Sequence, residues 1–146
     1  MEELINDFES QEWLRKKRYL ARYKKNLALI DRLKNKVDLL DERSEKIKSP
    51  NYSGMPRGGT PVTSYDMKEE KADLEARIER LKIKGATYKK EILETIDELE
   101  DPRYADVLEY FFIERLELSD IAEEMDYSLR HIKALYSDGI KAISLP

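Results

Sequence analysis

Three basic side chains near the C-terminus have the types and spacing needed to bind a polyanion. Arg130, Lys133 and Lys141 follow Ser128, a residue suited to start a helix, and Asp138 is the only acid among them. Positions three and four apart share a helix face. Guanidinium and ammonium groups hydrogen-bond to phosphate oxygens and to base edges in the major groove, which admits one α-helix. The chemistry predicted for this face is the binding of duplex DNA.

The outer face of this predicted helix consists of small, polar or basic side chains. The candidate DNA-binding residues on it are Ser128, Leu129, Arg130, His131, Lys133, Ala134, Ser137 and Lys141. A surface histidine without a binding role fits His131 equally well.

The stretch LSDIAEEMDYSLRHIKALYS, residues 118–137, meets the steric demands of a helix-turn-helix. Ser119 is predicted to cap the first helix and Ser128 the second. The turn requires a nearly left-handed residue, which aspartate tolerates, so Asp126 is predicted to occupy it. The small Ala122 allows the helices to cross closely. Side chains predicted to face inward are Ile121, Ala122, Met125, Ile132, Leu135 and Tyr136. Tyr127, Ile132 and Leu135 are predicted to form the wedge that fixes the angle between the two helices.

Local charge separates this motif from an ordinary hairpin buried in a core. Residues 102–127 contain eight acids and two arginines, whereas residues 128–146 contain three cations and one acid. The supporting helices are therefore acidic and the presented helix is basic. This change of sign favours DNA binding over the hairpin alternative.

The segment 107–143, with SDIAEEMDYSLRHIKALYSDGIKAI at its centre, resembles region 4 of bacterial sigma factors. It resembles more closely the small phage-encoded transcriptional regulators of the RinA/ArpU type, and the connector SGMPRGGTP is similar to a glycine-proline segment of those proteins. The resemblance implies a sequence-specific regulator of late phage promoters, with bases read by Leu129, Arg130, Lys133 and Ala134. Leu129 and Ala134 depart from the polar side chains of the sigma pattern, which argues against a standard sigma-factor promoter element.

A second basic region lies near the N-terminus. Residues 13–36 contain ten basic side chains and one acid, Asp31. Such a run either follows DNA phosphates or forms a solvated helix face, and the sequence leaves both interpretations open. The candidate phosphate contacts are Arg15, Lys16, Lys17, Arg18, Arg22, Lys24 and Lys25.

The predicted fold is all-α: a long, coiled-coil-like helical hairpin followed by a C-terminal helix-turn-helix bundle. The predicted divisions are a helix over 1–48, a glycine- and proline-rich connector over 49–64, a second long helix over 65–100 and the DNA-binding domain over 101–146. Apolar residues spaced by three and four form a narrow seam on each long helix. These seams pair either within one chain or between two.

Several kinds of chemistry are not expected. The chain has no cysteine and one histidine, so neither disulfides nor a structural metal site is predicted. No catalytic set of side chains stands out, and we expect neither an enzyme nor a cofactor. The sequence lacks an apolar run long enough for a membrane span, which predicts a protein of the bacterial host cytoplasm.

The expected function is transcriptional regulation by a homodimer that binds double-stranded DNA and contacts host RNA polymerase. A coiled-coil interaction scaffold is one alternative. A phage packaging protein that marks DNA for a terminase is another.

Overall fold

A computed structural model describes the backbone of residues 2–48 and 64–146 and the side chains of residues 10–46 and 65–146. Its helices are α1 (Glu2–Leu20), α2 (Arg22–Lys48), α3 (Ser64–Asp97), α4 (Pro102–Phe112), α5 (Leu118–Met125) and α6 (Leu129–Ala142). These described segments contain no strand, so the all-α prediction is confirmed. None of the described helices is long and apolar enough to cross a membrane. The predicted connector lies outside the described residues except for Ser64, which begins α3.

The predicted helix over 1–48 is divided at a single residue, Ala21. Hydrogen bonds continue through this position, from the Ala21 amide to the Lys17 carbonyl at 2.9 Å and from the Lys25 amide to the Ala21 carbonyl at 3.0 Å. Because both bonds join residues four apart, the chain follows a nearly helical path through the break.

The chain divides into two compact units, one of which comprises Leu27–Lys84. In this unit Ile30 and Leu33 of α2 pack with Ile78 of α3, and each is less than a tenth exposed. Further along α2, Asp41 pairs with Lys71 of α3 at 2.8 Å. As residue numbers rise along α2 those of its partners fall, so these parts of the helices are antiparallel. The two seams pack together within this chain.

The other compact unit comprises residues 1–26 and 85–146. Its main core joins Leu20 of α1, Ile92 and Ile96 of α3, and Leu108 and Phe112 of α4, all fully buried. Buried residues from the end of the chain, Ile140 and Ile143, belong to the same core. The unit that contains the helix-turn-helix is therefore larger than the predicted 101–146 domain, and α1 is part of it.

Local sequence explains where the C-terminal bundle starts. Asp101 is the N-cap of α4, its Oδ1 accepts a hydrogen bond from the Arg103 amide at 2.9 Å, and Pro102 opens the helix. Proline suits the first helical position because its missing N–H would have no partner there. The second long helix ends at Asp97, three residues before the predicted boundary at 100.

Candidate nucleic-acid interface

The first helix of the motif, α5, begins two residues earlier than a cap at Ser119 would place it. Its N-cap is Glu117, whose amide donates to Oδ2 of Asp120 at 3.3 Å. Asp120 lies three residues after the cap, where an acidic side chain can reach back to the cap's free amide. The prediction of Ser119 as the cap is therefore wrong, since this residue lies within the first turn of the helix.

The turn between α5 and α6 has the predicted left-handed geometry. Asp126 has φ 56° and ψ 44°, and the following Tyr127 amide donates to the Ala122 carbonyl at 3.0 Å. Ser128 then caps α6, because its Oγ accepts a hydrogen bond from the His131 amide at 3.1 Å. Both predictions are confirmed, and together they fix where α6 starts.

The two helices of the motif share a buried core. Ile121 and Ala122 of α5 pack with Ile132 and Leu135 of α6 and with Val107 of α4. Each of these side chains is less than a tenth exposed. The predicted inward face is confirmed for these residues.

Tyr127 does not belong to this core. Its side chain is 37% exposed, and its ring meets that of His131 edge-on, with the centroids 4.7 Å apart. The prediction that Tyr127 belongs to the wedge that fixes the interhelical angle is wrong. After the left-handed residue the ring lies against the exposed side of α6.

The predicted outer face of α6 is open to solvent in this chain. All eight candidate residues are exposed, including Leu129, an apolar side chain that is 42% exposed. Within the described part of the chain neither Arg130 nor Lys133 takes part in an ion pair. The first two turns of α6 thus present two cations that no other described side chain neutralises.

The C-terminal half of α6 lies against α1. Trp13 Nε1 donates to the Ser137 carbonyl at 3.0 Å, and Lys16 Nζ donates to the Lys141 carbonyl at 2.7 Å. The Trp13 ring also meets the Tyr136 ring edge-on at 6.2 Å. The side chains of Ser137 and Lys141 stay exposed, but α1 occupies one flank of the backbone there. The open part of the candidate face is its N-terminal half.

The basic residues of α1 and α2 differ in their surroundings. Arg22 forms an ion pair with Glu91 at 2.9 Å and stacks on Tyr19 and Tyr88, with its Cζ 4.0 and 4.7 Å from the ring centroids. These partners already occupy the guanidinium of Arg22. The more exposed members of the predicted phosphate-contact set are Arg15, Arg18 and Lys25.

Lys24 and Lys17 lie over aromatic rings. Lys24 Nζ is 3.8 Å from the centroid of Phe111, and Lys17 Nζ is 5.5 Å from that of Trp13. Burial lowers the pKa of Lys24, and the nearby charges of Arg115 and Lys17 lower it further, while Glu117 opposes them. Arg115, between α4 and α5, has a left-handed backbone with φ 60°. Sequence reasoning did not select Arg115, because nothing local to it indicates that it lies near the N-terminal lysines.

No protein-family model, curated protein or solved structure matches this chain.

Proposed function

We propose that this chain is a sequence-specific DNA-binding protein that regulates transcription, with α6 as its recognition helix. The observation that carries the proposal is the exposed, unpaired Arg130 and Lys133 on the first two turns of a helix that follows a left-handed turn at Asp126. In helix-turn-helix proteins the N-terminal residues of the second helix contact base edges. Arg130 and Lys133 occupy the corresponding positions.

The distribution of charge supports this orientation on DNA. The exposed side chains of α5 include three acids, Asp120, Glu123 and Glu124, whereas α6 carries Arg130 and Lys133. A polyanion is repelled by the former and attracted by the latter. The field therefore favours contact between a duplex and the exposed face of α6.

The length of α6 suits insertion into a groove. At a rise of about 1.5 Å per residue its 14 residues extend over roughly 20 Å, and the hydrogen bonds from α1 described above reach Ser137 and Lys141 in its C-terminal half. One such helix offers few base contacts, so high specificity requires a second half-site. We accordingly propose a homodimer, and the resemblance to phage regulators extends the proposal to late promoters and host RNA polymerase.

Selection of bound duplexes from phage and bacterial genomic fragments tests the proposal first. The expected result is a defined site, which also gives the half-site spacing. Arg130→Ala and Lys133→Ala should each weaken binding to that site by about 1–3 kcal/mol, with a smaller loss on random DNA. The specificity ratio should fall, while thermal stability measured by circular dichroism stays within about 0.5 kcal/mol.

A matched control is available on α3. Arg77 and Arg80 are also exposed cations three residues apart, so Arg77→Ala/Arg80→Ala removes the same charge with the same spacing. This control should leave the specificity ratio unchanged. An Arg130→Ala/Lys133→Ala variant that melts like the wild type and still selects the same site would contradict the role given to α6. A wild-type chain that binds no duplex would contradict the proposed function itself.

A further inference from the structure

Lys17 and Lys24 of the N-terminal helices stand over aromatic rings beside the helix-turn-helix, and Arg115, four residues after one of these rings, lies near enough to Lys24 to act on it electrostatically. From this geometry we propose that Lys17, Lys24 and Arg115 form one site for the backbone phosphates of the duplex that α6 reads. The proposal rests on the proposed function and extends it, because it assigns to α1, α2 and the α4–α5 loop a direct part in DNA binding. Contacts at this site strengthen binding and fix the position of the protein along the duplex, whereas α6 distinguishes one base sequence from another.

An aromatic surface positions the two lysines. Phe111, beneath Lys24, meets Tyr136 at 4.9 Å between ring centroids, and Trp13, beside Lys17, meets the same tyrosine at 6.2 Å. Tyr136 belongs to α6. The ammonium groups therefore stand on a continuous set of rings that ends on the recognition helix. A ring face attracts an ammonium without accepting all of its N–H groups, which can still donate to a phosphate.

The electrostatics of the cluster favour an anionic ligand. Burial has the largest effect on the pKa of Lys24 and lowers it; the charges of Arg115 and Lys17 lower it further, and the charge of Glu117 raises it. Like charges held near one another repel, and a phosphate placed among them relieves that repulsion. This differs from a solvated basic face, where each cation points separately into water.

The cluster also lies where a helix-turn-helix meets the DNA backbone. Arg115 is two residues before Glu117, the N-cap of α5. In this motif the first helix crosses the phosphate backbone while the second enters the major groove. Cations at the start of α5 are therefore near phosphates when α6 is seated.

Three neighbouring cations of the same basic run provide a matched control. Arg15, Arg18 and Lys25 belong to the same basic run and are exposed, yet they lie on no described aromatic ring. A triple glutamine substitution at these positions removes the same charge as one at Lys17, Lys24 and Arg115. The difference between the two triple variants isolates the effect of position from that of net charge.

The test measures binding to a random-sequence 30-base-pair duplex over a range of salt concentrations. Each phosphate contact contributes about 0.9 to the slope of log K against log salt. Lys17→Gln/Lys24→Gln/Arg115→Gln should therefore flatten the slope by between two and three and weaken binding to all sequences alike. The control triple should change the slope by less than one. The conservative variant Lys17→Arg/Lys24→Arg should keep the slope of the wild type, because it retains both charges.

Equal slopes for the wild type and the Lys17, Lys24 and Arg115 triple would overturn the inference while leaving the role of α6 intact. Equal flattening by both triples would also overturn it, since net charge alone would then account for binding. Absence of any duplex binding by the wild type would instead reject the proposed function.

A measurement on the unmodified chain covers the case in which the triple variant fails to fold. In NMR titrations with the same duplex, the side-chain signals of Lys17 and Lys24 should move, and those of Lys25 should stay close to their free positions. Equal movement of all three lysines, or of Lys25 alone, would overturn the inference.

Discussion

Gly85 offers the sharpest test of how closely α2 and α3 pack. It is buried in the middle of α3, where a Cβ added to it would lie 2.5 Å from Oδ1 and 3.2 Å from Cγ of Asn26. Asn26 is itself 7% exposed, and its Oδ1 has no hydrogen-bond partner in the described structure. Because Asn26 is buried, its side chain can move away from a new methyl group only by displacing its own neighbours.

Two opposing effects decide the stability of Gly85→Ala. Replacing glycine by alanine inside a helix gains about 1 kcal/mol from backbone propensity. Forcing a methyl group into a filled space costs about 1–3 kcal/mol. Because the Cβ would approach two atoms of a buried side chain, we expect the cost to exceed the gain and the free energy of unfolding to fall by about 1 kcal/mol, or roughly 3 °C in melting temperature.

Gly85→Ala should raise the free energy of unfolding, instead of lowering it, once the side chain of Asn26 is shortened. In an Asn26→Ala background the methyl group meets neither Oδ1 nor Cγ, so only the helix gain of about 1 kcal/mol remains. The assay is a double-mutant cycle by urea unfolding, with a coupling energy near 2 kcal/mol expected for the pair. Ala86→Gly, at the exposed neighbouring position, calibrates the propensity term in the same helix. A Gly85→Ala variant that is more stable than the wild type by the same amount in both backgrounds would refute the argument.

Two further predictions concern charge. Burial raises the pKa of Glu109, and the charge of Asp97 is the largest further contribution, so the folded state favours the protonated form and loses stability as pH rises through that raised pKa. Glu109→Gln should therefore have a higher melting temperature than the wild type at pH 7, and the difference should shrink near pH 4. Equal melting temperatures at pH 7 would contradict this. Leu33→Asp places a charge where the wild-type side chain is 1% exposed, and it should lower the free energy of unfolding by about 3 kcal/mol or more, measured by thermal unfolding. Leu39→Asp, at a position on the same helix that is 52% exposed, should lower it by less than about 1 kcal/mol. Similar losses for the two variants would argue against a buried seam.

Features that depend on a few neighbouring residues could be predicted from the sequence. Pro102 after Asp101, Ser128 before α6 and the left-handed Asp126 each follow from the geometry of one turn. The spacing of apolar residues likewise predicts the seam in which Leu33 and Ile78 pack. These elements are determined by backbone chemistry and helical periodicity, so they required no knowledge of the tertiary fold.

Features for which the sequence allows two comparable outcomes, such as the cap of α5 and the placement of the Tyr127 ring, were predicted less well. Both Ser119 and Glu117 can begin a helix, and the carboxylate of Asp120, which bonds to the Glu117 amide, favours the earlier start. Tyr127 has an apolar ring suited to a core, yet it lies against His131 on the surface. In each case the outcome depends on contacts that a single helix face does not specify.

The basic run of the N-terminal helices shows why the residues of the candidate site could not be selected from the sequence alone. In the sequence its cations are equivalent, and their summed charge indicates only that a polyanion would be attracted. In the structure Glu91 and two tyrosine rings hold Arg22, the end of α6 holds Lys16, and Lys24 stands on Phe111 near Arg115. Arg115 lies 91 positions beyond Lys24 in the sequence, so no local pattern can pair them. Charge density in a sequence therefore indicates a class of ligand, whereas the neighbours that each cation acquires depend on packing.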